Sequence, residues 1–220
     1  GWTGGVQFKY YPIENLAFFV EPRMSFVPYT FTEKTISGKV NEYSFMDKLM
    51  NISVGVELRR PSRPQWQQLA KLRGDFTPYY YTSYAVGMTM PQQLNRPTSR
   101  RPGFITGAAV GRQFSPLSGF RLGLDFNNAA TRLADAKVDR YTFTSLSLDY
   151  MFDISNWVIG YDPERKFGTE VFAGPVITHR FEPGKTYLGG EGGVRPYWRL
   201  GEQFDVFAES KLRLYTQRYI

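Results

Sequence analysis

The stretch Phe204-Asp-Val-Phe-Ala-Glu-Ser-Lys-Leu-Arg-Leu-Tyr-Thr-Gln-Arg-Tyr-Ile220 decides the fold. Its even positions read Phe204, Val206, Ala208, Ser210, Leu212 and Leu214. Its odd positions read Asp205, Phe207, Glu209, Lys211, Arg213, Tyr215 and Gln217. Successive side chains of a strand point to opposite faces. One face is therefore apolar and the other carries charges of both signs. Repeated about ten times along the chain at membrane-spanning length, this pattern predicts an all-β protein, an antiparallel transmembrane β-barrel.

Ten strands are expected, at 2–11, 16–29, 49–59, 77–90, 103–114, 119–129, 140–152, 166–178, 187–199 and 204–219. The apolar face falls on even numbers in most of them, as in Leu16, Phe18 and Val20 or Phe120, Leu122 and Leu124. The eighth strand switches to odd numbers with Val171, Ala173 and Ile177. The fifth is ambiguous, because Arg112 falls on its apolar face near a turn.

Composition agrees. The 220 residues fit one domain spanning 1–220, with no apolar run of about 18 residues that could make a transmembrane helix. Mean hydropathy is −0.38, which a barrel tolerates because only alternate residues meet lipid. The chain has 15 Tyr and 18 Phe, as aromatic girdles at two interfaces require. With no cysteine, disulfides and thiolate metal sites are excluded. No metal or cofactor is expected. The net charge of +7 does not point to nucleic acid, because the bases alternate with acids inside strands. A charged lumen and anionic lipopolysaccharide are the better partners.

The face opposite the apolar one collects Glu21, Arg23, Glu57, Arg59, Arg121, Asp125, Glu191, Arg195, Glu209, Lys211 and Arg213. It also carries Lys9, Asp149, Glu170 and Arg199. Rings of one sign would describe an ion-selective pore. This mixture predicts interlocking salt bridges filling a narrow lumen, with a charged constriction in an open channel as the alternative.

Tight connections at Pro12–Asn15, Ser115–Gly119 and Gly201–Gln203 alternate with long ones at 30–45, 91–102, 129–139 and 179–186. Barrels of this kind place short turns in the periplasm and long loops outside. Residues 1 and 220 then both lie outside, which predicts an excerpt of a barrel of 12 or more strands. A complete barrel of ten would instead require inside and outside to be exchanged or one strand to be miscounted. Two connections depart from the rule. Residues 60–75 contain Pro64–Leu72, a predicted interfacial helix through Trp66, Leu69 and Ala70. Residues 153–165 offer Ser155-Asn156 as a helix start and Asp162-Pro163 as a turn.

An internal echo accompanies these hairpins. Gly4-Gly5-Val6, Glu14 and Phe19-Val-Glu21 align without gaps to Gly192-Gly193-Val194, Glu202 and Phe207-Ala-Glu209, at a constant offset of 188 (192 − 4 and 209 − 21). Together with Gly192-Gly-Val-Arg-Pro-Tyr-Trp-Arg-Leu200, Leu148–Asn156 and Gly160–Arg165, they resemble the outer-membrane β-barrel proteins of Bacteroidota, including the barrel portion of OmpA-like and porin-family proteins. That resemblance implies a barrel in the outer membrane of a Gram-negative bacterium. It brings no active site with it.

The search for chemistry is short. His179, the sole histidine, sits at a strand end; a rim hydrolase acting on lipid or protein would need it, but no His-x-Ser follows. Gly189-Gly-Glu-Gly-Gly193 lacks the Lys-Ser/Thr of a phosphate loop, and Asn51-Ile-Ser53 lies inside a strand. Arg96, Arg100 and Arg101 form a basic loop suited to lipopolysaccharide phosphates. The expected function is a non-enzymatic outer-membrane barrel, structural or porin-like. The alternative is an accessory subunit of a larger outer-membrane complex for secretion, assembly or nutrient uptake.

Overall fold

In the computed structural model, residues 1–34, 40–61, 75–92, 100–132, 138–181, 184–201 and 203–219 are described. Ten strands form one closed antiparallel barrel. They are β1 (Trp2–Ile13), β2 (Leu16–Lys34), β3 (Val40–Pro61), β4 (Tyr79–Gln92), β5 (Arg100–Gln113), β6 (Ser118–Arg132), β7 (Val138–Asp153), β8 (Phe167–Arg180), β9 (Lys185–Arg199) and β10 (Phe204–Tyr219). One short helix, α1 (Ile154–Ile159), follows β7. Each strand pairs with its sequence neighbours, and β1 closes the ring on β10 from Trp2 opposite Leu212 to Tyr10 opposite Phe204. At the seam the Gly1 amine donates to the Arg213 carbonyl at 2.8 Å. The expectation of 12 or more strands therefore gives way to a ring that closes with ten.

The strands overrun several segments read as long loops. β2 and β3 stay paired as far as Lys34 opposite Val40, so most of 30–45 is hairpin. Thr30, Phe31 and Thr32 face Ser44, Tyr43 and Glu42, and β-branched and aromatic residues extend a ladder readily. The predicted helix at 64–72 lies outside the described residues.

Alternation governs the wall. Leu148 is 46% exposed while its neighbour Asp149 is 0% exposed. The parity switch in β8 follows from register: Leu146 faces Ile177 and Phe167 faces Trp198, so even numbers join odd across both edges of β8. Arg112 resolves outward, its guanidinium 5.0 Å from the centre of the Tyr80 ring. Its stem covers apolar wall while its charge reaches the rim.

Outward aromatic rings gather at two levels. Tyr10–Phe204, Phe114–Phe120, Phe120–Tyr150 and Phe167–Trp198 contacts belt the end with the tight turns. Trp2–Phe26 and Phe104–Phe126–Phe181 contacts belt the other. Between Trp2 and Tyr10 run about 26 Å of strand at 3.3 Å per residue, or roughly 20 Å along the axis at a tilt near 40°.

The helix begins at Ile154, and its cap, Asp153, lies two residues before Ser155. The Asp153 carboxylate accepts from the Asn156 N–H at 2.8 Å and caps α1, which ends at Gly160 with φ 91°. Ser155 Oγ is committed elsewhere, accepting from the Thr169 N–H at 2.8 Å. Asp162 makes the expected turn, its carboxylate accepting from the Glu164 N–H at 2.9 Å.

Inside the barrel, aromatic rings lie over glycines in the facing row. Tyr81 pairs with Gly111 and Tyr197 with Gly168. A Cβ at either glycine would come within 2.1 Å and 2.3 Å of those rings. Overpacking of this kind costs about 1–3 kcal/mol. Gly168→Ala is expected to lower stability by that amount in urea unfolding from lipid vesicles. The same change beside Tyr197→Leu should cost much less, because the smaller side chain vacates the space.

Candidate functional site

Among the described residues, charged side chains concentrate in the interior of the ring. Ten strands enclose a bore only slightly wider than the eight-strand barrels that side chains fill completely. Long side chains entering from opposite walls therefore meet.

They meet in three tiers. Nearest the tight turns, Lys9 Nζ lies 2.6 Å from Glu57, and Arg59 Nε donates to the other Glu57 oxygen at 2.9 Å. Arg59 also donates to Tyr11 Oη at 2.7 Å and stacks over Tyr11 and Tyr79. Arg195 pairs with Glu170 beside them. In the middle tier Arg121 reaches Asp149 at 2.9 Å and Glu209 at 3.2 Å, with its guanidinium over Phe172. Lys211 approaches Glu209 at 3.7 Å, and Arg23 pairs with Glu21 at 2.6 Å. In the third tier Arg213 joins Glu191 at 2.5 Å and Asp125 at 3.2 Å.

Two of these contacts cross the bore. Arg121 and Asp125 stand on β6, Glu209 and Arg213 on β10, and three strands separate β6 from β10 around the ring. Tyr81 on β4 likewise donates to Met151 Sδ on β7 at 3.4 Å. Below the middle tier the bore widens into a cavity of about 220 Å³, lined by Arg59, Tyr79, Glu170, Arg195, Tyr197 and Phe207 and by Tyr161 and Arg165 from the connection after α1.

All the interior charges named from the sequence (Glu21, Arg23, Glu57, Arg59, Arg121, Asp125, Glu191, Arg195, Glu209, Lys211 and Arg213) stand in these pairs. Sequence reading named the charges and passed over the rings between them. Tyr11, Tyr79, Tyr81, Phe172, Tyr197 and Phe207 carry the inward parity of their strands, and that signal locates them. Asp153, which accepts from Tyr197 Oη at 3.2 Å, was assigned to a connection and so missed.

The other candidates are scattered. His179 lies on the outward row of β8, its Nδ1 2.9 Å from Thr186 Oγ1 and its ring edge-on to Phe181. The glycine run 189–193 is strand, with the Phe172 ring occupying the place of a Gly193 side chain. Arg100 and Arg101 belong to β5, opposite Thr131 and Ala130, while Arg96 lies outside the described residues. Among the described residues no group of three or more His, Asp or Glu is placed to hold a metal.

Comparison with protein-family models gives no match, and comparison with curated proteins gives no relative.

Removing one member of a buried pair leaves its partner's charge uncompensated, at a cost of about 3 kcal/mol when a little water remains. Glu209→Gln, which leaves Arg121 with Asp149 alone and takes away the carboxylate that Lys211 approaches, is expected to destabilise by about 3 kcal/mol. Arg199→Gln at the exposed rim pair with Asp205 should cost under about 1 kcal/mol. Denaturant midpoints of the two variants in one lipid composition make the comparison.

Proposed function

We propose that this chain is a non-enzymatic outer-membrane β-barrel whose bore is closed by charge pairs, and that it serves as a structural membrane scaffold. One observation carries the reading: around a closed ring the outer wall is apolar between two aromatic belts, while the inner wall is ion-paired from side to side. A closed barrel leaves no strand edge unpaired, which is the condition for a sheet to sit in hydrocarbon. Leu122, Leu124, Leu146, Leu148, Val54 and Val86 would be a costly surface in water and a favourable one in lipid. The resemblance of the hairpins to Bacteroidota barrels agrees with that location.

Cross-bore pairs argue for a scaffold over a diffusion pore. Ions passing the middle tier would have to separate Arg121 from Glu209 and Asp149. A porin instead keeps an aqueous channel open, and its barrels are larger.

A second reading, an accessory subunit of an outer-membrane assembly, has its own observation. The outer wall is indented by a recess of about 540 Å³ lined by Phe8, Phe18, Val20, Val54, Val56, Tyr84, Val86 and Phe204. Recesses of this sort suit the side chains of a neighbouring barrel or helix. Native mass spectrometry from mild detergent separates a lone barrel from a subunit.

Two experiments test the main reading. In planar bilayers the protein should insert and give no steady conductance; a large steady current that changes ion selectivity in Glu209→Gln would replace the scaffold with a porin. Leu122→Arg should cost roughly 2–4 kcal/mol in vesicles, and Leu122→Phe little, if that position faces the bilayer interior.

A further inference from the structure

The helix α1 has its polarity reversed relative to a helix packed on a soluble protein. Its polar residues face the barrel. Ser155 Oγ accepts from the Thr169 N–H at 2.8 Å, and Asn156 Nδ2 donates to the Pro116 carbonyl at 2.9 Å. Asn156 Oδ1 in turn accepts from Arg165 at 3.1 Å. Three of its four apolar residues face away: Trp157, Val158 and Ile159 are 66%, 67% and 77% exposed. Hydrogen bonds to Thr169, Pro116 and Arg165 hold this arrangement, so turning the apolar residues inward would break them.

The position of the helix says what covers that face. Trp157 packs on Phe152, with ring centroids 6.1 Å apart. Phe152 continues the outward row of Leu146, Leu148 and Tyr150 on β7. The helix thus carries the apolar outer wall past the end of the strand. Leu200, 71% exposed in the connection between β9 and β10, extends the same rim. Tryptophan is the residue type that prefers the boundary between headgroups and acyl chains, and a short helix with a strongly apolar outer face lies flat there.

We propose that α1 is a lipid-anchoring foot, seated in the headgroup–acyl boundary of the leaflet at the tight-turn rim, with Trp157, Val158 and Ile159 in the lipid. The proposal rests on the membrane reading above and adds a binding surface to it. The bore charges belong to the interior; the foot contacts the bilayer from outside and sets how deep the barrel rides.

Fluorescence quenching tests it. The chain has 4 Trp, so W2F/W66F/W198F leaves Trp157 alone and W2F/W66F/W157F leaves Trp198 on the outer wall. Each protein is reconstituted in phosphatidylcholine–phosphatidylglycerol vesicles, and heat-shifted gel mobility checks that the barrel is folded. Lipids carry a nitroxide either near the headgroup or at the chain end, and acrylamide probes from water. Trp157 should lose fluorescence most to the headgroup-proximal nitroxide and be shielded from acrylamide. If acrylamide quenches Trp157 while lipid nitroxides quench only Trp198, the foot is in water and the proposal fails with the membrane barrel intact. Shielding of Trp157 from both probes would place protein on it and overturn the lipid assignment. If lipid nitroxides reach neither tryptophan, the membrane reading itself fails.

Discussion

A strand places alternate residues on opposite faces, and closing ten such strands into a ring turns that alternation into an inside and an outside. The ring then has no edge strand, because β1 and β10 pair with each other at the seam. What remains is a matter of side chains. Outward positions have room and meet only their surroundings. Inward positions share a narrow bore, and each polar group brought there needs a partner within reach. The ion pairs are a consequence of closure: Arg121 meets Glu209 because β6 and β10 bend round to face each other.

The same constraint explains why aromatic rings accompany the charges. A bore filled only with Arg and Glu would leave gaps that the pairs cannot fill. Phe172, Phe207 and Tyr79 supply flat surfaces against which guanidinium and ammonium groups rest. Glycines across the row make room for the largest rings, as Gly168 does for Tyr197. Charge pair, ring and glycine therefore work as one packing unit. A change at any of the three is felt by the other two.

Much of this was legible from residues alone, because parity is a local property. The ten strands, the outward row of most of them and the switch in β8 all follow from alternate positions such as Val171, Ala173 and Ile177, while the fifth, with Arg112 among its apolar positions, stayed ambiguous. What parity cannot supply is the distance across the ring. That Asp125 belongs to Arg213, 88 residues away, depends on closure and shear, which no single strand encodes. The strand number was misjudged for a related reason: it was inferred from where the termini fall relative to loops, not from whether β1 can pair with β10. The cap of α1 was misplaced because Asp153 both ends β7 and starts the helix, while Ser155, an equally good cap type, stands two residues further on.

The account's central claim is that one wall of each strand faces lipid and the other a closed, side-chain-filled bore. Nitroxide scanning along β4 tests it most directly, since the inward residues Ser83 and Ala85 are small and uncharged, so labels there break no ion pair. With the protein in vesicles, labels at Thr82, Tyr84 and Val86 should collide freely with dissolved oxygen. Labels at Ser83 and Ala85 should collide poorly with both oxygen and a water-soluble nickel chelate. Strong collision of the nickel chelate at Ser83 and Ala85 would contradict the closed bore, and equal oxygen access at all five positions would contradict the lipid-facing wall.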